Sequence, residues 1–233
     1  MPEMHSKAET TAAGATPCPD LTPGTAIRSR AILARALAAL AADDRPLRVA
    51  LQALGPPPLR WRGTGFPALV SIILGQQVSL ASATALRARL LRAARPLTPG
   101  AVLDLGEDRL RAIGLSRQKA DYVLGLATEI ADGRLNLQGL ARMSDGDAQA
   151  RLMALKGIGR WSAEVYLLFA LGRPDIWPAD DLAVQDGVAR VLGLSSRPDA
   201  AATRHLGERW RPWRSAAARL MWHTYGKGQW ERS

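Results

Sequence analysis

The chain has 233 residues, 47% of them hydrophobic, enough for one large or two small domains with a proper core. Thirty-one Lys and Arg against twenty-one Asp and Glu leave a net charge of +10; arginine dominates, which favours a polyanionic partner able to accept its fork. A single cysteine, Cys18, and three histidines exclude an intrachain disulfide, an all-cysteine zinc site and a four-cysteine iron–sulfur cluster.

No run of about 18 apolar residues is present, so no membrane span is expected. The start, Met1-Pro-Glu-Met-His-Ser-Lys7, lacks the apolar stretch of a signal peptide, and a cytoplasmic protein is the expectation. Residues 1–24 are rich in Ala, Thr, Pro and Gly without apolar periodicity and read as a disordered tail. Ile27, Ala31, Leu33, Leu37 and Leu40 then recur at helical spacing, as do Leu47, Leu51 and Leu54. Gly55-Pro-Pro-Pro58 breaks the pattern into a connector, and a small strand has room only within 44–63.

Helices are predicted over 66–74 and from Ser79 as N-cap to about 94, with Gly75-Gln-Gln-Val-Ser79 as the turn between them. Others fall at 107–112, 117–132, 145–154, 158–171, 182–191, 199–210 and 213–225. Ser116, Ser144 and Asp199 are suitable starts, and Gly114, Gly133 and Gly193 suitable stops. Period-two alternation is scarce, so the predicted class is all-α.

The most informative stretch is Leu155-Lys-Gly-Ile-Gly-Arg-Trp-Ser-Ala163. A helix–Gly-x-Gly–helix hairpin can present backbone N–H groups to a phosphate; the same spacing also suits an ordinary turn between packed helices. A dinucleotide fingerprint is excluded because the preceding segment is helical and Ser162 occupies the third glycine position. Ile158, Trp161, Val165 and Leu168 share a face, which by itself reads Trp161 as a core residue. Glu164 reads as a solvated position. Asp180-Asp181 precedes an apolar helix, where one carboxylate suits a cap and leaves the other for chemistry.

Taken together, Gly75-Gln-Gln-Val-Ser79, Gly114-Leu-Ser-Arg-Gln-Lys-Ala120, the hairpin, Pro178-Ala-Asp-Asp181 and Arg209-Trp-Arg-Pro-Trp-Arg-Ser215 resemble the helix-hairpin-helix superfamily of DNA glycosylases. The resemblance covers roughly residues 25–228 and is nearest to the bacterial 3-methyladenine DNA glycosylase II branch, in a short form without its extra N-terminal domain. It implies two helical subdomains around a DNA-binding cleft, residues 25–63 plus 174–233 forming one and 64–173 the other. It also implies a monomer acting on double-stranded DNA with damaged bases, nucleoid-associated through that DNA.

By that resemblance Asp181 is the catalytic carboxylate, and Trp161, Trp222 and Val165 line a base pocket. The amides around Gly157, Ile158 and Gly159, with Arg160 and Ser162, would hold DNA. Gln76 and Gln77 would supply the plug for the space left by a flipped nucleotide. A monovalent cation on the carbonyls of Met153, Leu155 and Ile158 is the one cofactor expected, with no iron–sulfur cluster. Members with lyase activity carry lysine where this chain has Trp161, which implies a monofunctional enzyme. Where relatives place an aromatic residue one turn later this chain has Val165, which implies a less aromatic pocket. Two other readings stay open: a non-catalytic DNA-binding module, and a glycosylase for deaminated or oxidised bases.

Overall fold

The computed structural model describes residues 21–61 and 63–226. The first 20 residues of the expected tail lie outside them, whereas Leu21 packs against the core and Thr22 to Thr25 form a hydrogen-bonded turn. Helices follow in the order α1 (Arg30–Asp43), α2 (Arg45–Leu54), α3 (Phe66–Gly75), α4 (Leu80–Ala93), α5 (Pro99–Ile113) and α6 (Arg117–Ala131). They continue as α7 (Asp145–Met153), α8 (Arg160–Phe169), α9 (Leu182–Leu192), α10 (Ala200–Gly207) and α11 (Arg214–Gly226). The fold is all-α, as the periodicity predicts.

Local chemistry explains most of these boundaries. Ser79, Ser116, Ser144 and Asp199 each accept a hydrogen bond from a backbone N–H three residues on, capping α4, α6, α7 and α10. Gly114 and Gly193 close α5 and α9 in the left-handed conformation. The strand considered between 44 and 63 is replaced by α2, because Asp44 accepts from the Leu47 N–H and Pro46 suits a first turn. α5 begins at Pro99 rather than 107, with its helical path interrupted at Gly106, φ 66°. Beyond α10 the chain tightens into a 3₁₀ turn, Glu208–Trp210, and the last helix begins at Arg214, within a residue of the expected 213.

The helices pack in two groups. α3 contacts α4, α6 and α8; α4 contacts α5, α5 lies along α6, and α7 meets α8. In the other group α11 runs against α9, α1 and α2, and α10 meets α9. α8 joins the groups and is buried along most of its length, from Ser162 to Phe169. Arg219 of α11 donates to its Leu168 carbonyl at 3.0 Å, and the Gly65 N–H donates to the Tyr166 hydroxyl at 3.2 Å.

The basic aromatic segment at 209–214 serves this core. Trp210 is fully buried and donates to Asp44, which also pairs with Arg209 at 2.8 Å. Arg211 and Arg214 are both neutralised by Asp175 and Glu208. α9 and α11 approach closely at Gly187, where a Cβ would stand 2.6 Å from the Met221 backbone. Gly187→Ala is expected to cost about 1–3 kcal/mol through overpacking, read as a lower urea midpoint with an unchanged slope.

Candidate active site and nucleic-acid interface

The hairpin spans the six residues between α7 and α8. The Ile158 N–H donates to the Leu155 carbonyl at 3.1 Å, and Gly157 turns the chain at φ 85°. A Cβ on Gly157 would lie 2.3 Å from the Tyr122 ring, so only glycine fits both the conformation and the space. Gly159 starts α8 with no side-chain cap. The first-turn amides of α8 therefore face outward at the positive end of the helix dipole. An open basin of about 450 Å³ borders this turn, lined by Gln77, Lys119, Met153, Leu155 and Ile158 among others. Lys119 donates to the Leu74 carbonyl at 2.7 Å, and its partial burial lowers its pKa.

Several expected DNA-facing groups have other partners. The Gln76 amide donates to the Gly157 carbonyl at 2.8 Å and the Ser162 hydroxyl at 3.0 Å, joining the α3–α4 turn to the hairpin. Ser162 is buried, so its side chain braces the hairpin and faces no ligand. Gln77 is exposed with φ 54°, a left-handed backbone that turns it out of the helix it follows. Of the two glutamines, only Gln77 stands exposed.

Of the acidic pair, Asp181 is the residue that caps α9, and its carboxylate has two further partners. Its Oδ1 accepts from the Ala183 and Val184 N–H groups at 2.9 and 3.0 Å, capping α9. The same oxygen accepts from Trp222 Nε1 at 3.1 Å, and Oδ2 accepts from Trp161 Nε1 at 2.6 Å. Asp180 instead pairs with Arg204 at 3.0 Å and lies 3.9 Å from Arg160.

Trp161 is 39% exposed, not core, because its indole leans out of α8 to reach Asp181. It borders a cleft of about 270 Å³ together with Val165, Phe169, Trp222, Ile72 and Arg60. Phe169 packs on Trp222 at 5.2 Å between centroids, so the wall is aromatic after all. The four-residue spacing Trp161, Val165, Phe169 was the available signal; the aromatic group stands two turns after Trp161 rather than one.

Glu164 also departs from expectation. It is 6% exposed, its Oε2 has no hydrogen-bond partner, and its Oε1 lies 3.9 Å from Arg160. Burial pushes its carboxyl up to about 7; the Arg160 charge opposes the rise, while Asp180 and Asp181 add to it.

With this geometry in view, residues 70–212 match the model of the HhH-GPD superfamily of base excision DNA repair proteins, and the chain belongs to that superfamily. It is 34% identical over 128 residues to DNA-3-methyladenine glycosylase 1 of Schizosaccharomyces pombe, covering 54% of this chain and 56% of that one. It is 27% identical over 180 residues to a DNA-3-methyladenine glycosylase of Bacillus subtilis, covering 68% and 56%. The solved structure of the Schizosaccharomyces pombe 3-methyladenine DNA glycosylase in complex with abasic DNA superposes with a TM-score of 0.77 at 27% identity, covering 85% of this chain and all of that one. The chain spans a little over half the length of these curated relatives. No helix among the described residues is long and apolar enough to cross a membrane.

The buried glutamate makes stability pH-dependent. The native state holds the Glu164 proton up to about pH 7, whereas the unfolded chain releases it near 4.3. Stability therefore falls as pH rises through that window, by roughly 4 kcal/mol, and is level above it. Glu164→Gln removes this slope, so the variant gains on the native protein between pH 5 and 8 when urea midpoints are compared.

Proposed function

We propose that this protein is a monofunctional DNA glycosylase that flips alkylated purines of the 3-methyladenine type out of double-stranded DNA. It hydrolyses the N-glycosidic bond and so starts base excision repair. The observation that carries this reading is the Asp181 carboxylate held between the edges of two cleft tryptophans. A helix cap alone needs neither indole.

The carboxylate is oriented asymmetrically. Oδ1 accepts three N–H donors, while Oδ2 accepts one, from the cleft-lining Trp161, and keeps acceptor capacity. As the base departs with the bonding electrons, positive charge builds on the sugar. A fixed carboxylate stabilises that oxocarbenium-like state and aligns water for attack at C1′; the water's oxygen joins the sugar and its proton is lost. An alkylated base that is already cationic leaves without strong acid assistance.

Flipping costs a few kcal/mol of stacking and pairing. Contacts from the α8 amides and Arg160 to phosphate, together with Gln77 in the vacated space, would offset it. A monovalent cation on the carbonyls of Met153, Leu155 and Ile158 suits the hard oxygen donors of the hairpin. The Leu155 carbonyl uses one lone pair on the Ile158 N–H and keeps the second. Lyase chemistry requires an amine at the reacting carbon. Neither described lysine that is ordered by a partner, Lys119 on Leu74 or Lys156 on Asp121, borders the cleft.

Asp181→Asn tests the catalytic role cleanly, since Asn caps a helix about as well as Asp. The variant should fold and bind DNA yet release base at least about a hundredfold more slowly, as when one preorganised charge-stabilising group is removed. Excision at the native rate would reduce Asp181 to a cap. Borohydride trapping should give no covalent protein–DNA adduct; a trapped adduct would refute the monofunctional assignment.

A further inference from the structure

Arg160 opens α8 beside the hairpin amides and is exposed. Two carboxylates flank its guanidinium: Glu164, one turn along the helix, and Asp180, in the turn before α9, each at 3.9 Å. Neither contact is short enough for a hydrogen bond. Asp180 is already paired with Arg204 at 3.0 Å. Charge therefore draws Arg160 to this side of α8, with no hydrogen bond to either acid fixing it there.

Glu164 is an unusual partner for it. The residue is buried and its Oε2 has no hydrogen-bond partner; Arg160 is the cation within ion-pair distance of it among the described residues. The other charges acting on it are Asp180 and Asp181 from the turn before α9, and Arg204 from α10. Of the other helices packed on α8, α3 has no ionisable side chain. On α7, Asp145 pairs with Arg173, Asp147 accepts from the Ser144 hydroxyl, and Arg151 donates to the Arg134 carbonyl. On α11, Arg219 donates to the Leu59 and Leu168 carbonyls.

The protonation of Glu164 is thus tied to one mobile cation. Burial favours the neutral acid and the Arg160 charge opposes it, which leaves the pKa at about 7. A DNA phosphate at the α8 amides would change both influences. It adds negative charge nearby, and it offers Arg160 a bidentate partner. Once Arg160 turns to that phosphate, an ionised Glu164 stays buried without its cation, which is strongly unfavourable. A neutral Glu164 loses nothing when Arg160 leaves.

We propose that Glu164 is a positioning residue for DNA binding: as a carboxylate it holds Arg160 back from the phosphate at the hairpin, and on taking a proton it releases Arg160 to that phosphate. The inference deepens the proposed function and rests on its reading of Arg160 as a phosphate contact. Because linkage is reciprocal, DNA binding draws a proton onto Glu164, and affinity falls as pH rises above about 7.

The test measures binding of an undamaged labelled duplex to the full chain by fluorescence anisotropy, from about pH 6 to about pH 8.5. Salt is held fixed so that counterion release stays constant. Comparing Glu164→Gln with the native protein cancels titrations elsewhere. At the acid end, where native Glu164 is mostly neutral, the two should bind alike. At the alkaline end Glu164→Gln should bind about two- to fivefold more tightly, the range of one partly exposed charge pair. Arg160→Gln should weaken binding and remove most of that alkaline advantage when combined with Glu164→Gln.

A ratio of affinities that does not change with pH would overturn the proposal and leave Glu164 a structural residue. The full alkaline advantage surviving in the Arg160→Gln background would overturn it as well, since Glu164 would then act on DNA without Arg160. Failure of the native protein to bind duplex at any pH would contradict the DNA-binding reading, and this proposal with it. Urea midpoints taken alongside confirm that each variant is folded.

Discussion

The carboxylate of Asp181 is the constraint on which the site depends. It ends the turn that begins at Trp177, caps α9 through two backbone amides, and receives the indole edges of Trp161 from α8 and Trp222 from α11. Three helices from both packing groups therefore converge on one side chain. The turn itself is anchored from below, where Trp177 donates to the Thr203 carbonyl and Gln185 reaches back to the Ala179 carbonyl. A charge held this way needs little reorganisation when positive charge develops opposite it, which is the basis of electrostatic preorganisation.

The rest of the charge distribution supports that convergence. Arginines of the 209–214 segment are internally compensated by Asp44, Asp175 and Glu208, so a stretch that looks like a nucleic-acid patch is an internal brace. Arg173 likewise serves the chain, donating to the carbonyls of Leu140, Ala141 and Met143. Of the four described residues with a buried, unpartnered side-chain polar atom, two lie on or against α8: Glu164 itself, and Arg219 over Phe169. Burying such groups is costly, and clusters of them are characteristic of functional sites.

Much of the scaffold was legible in the sequence because it is set by local chemistry. Serine and aspartate caps, glycine stops and the period of the apolar residues marked α3, α4, α6, α7 and α9 to within a residue or two at most ends. The hairpin was visible for the same reason, whereas only the family resemblance singled out Asp181 from the Asp180-Asp181 pair. What remained hidden depends on tertiary contact. Glu164 looks solvated because the period of α8 does not show that its whole stretch from Ser162 to Phe169 is buried in the fold. Trp161 looks like core because periodicity cannot show that an indole edge has a carboxylate to reach. Gln76 and Gln77 are adjacent and chemically identical, yet one is fixed by Gly157 and Ser162 while the other stands outside.

The central claim is that the cleft around Asp181 hydrolyses the bond between base and sugar. It is tested most directly by incubating the native protein with methylated duplex DNA and quantifying, by mass spectrometry, the free bases released. The account predicts free methylated purine in step with alkali-labile abasic sites, on strands that stay intact until alkali is added. Tight binding with no free base above the spontaneous background would contradict it, and would leave the hairpin as a DNA grip without chemistry.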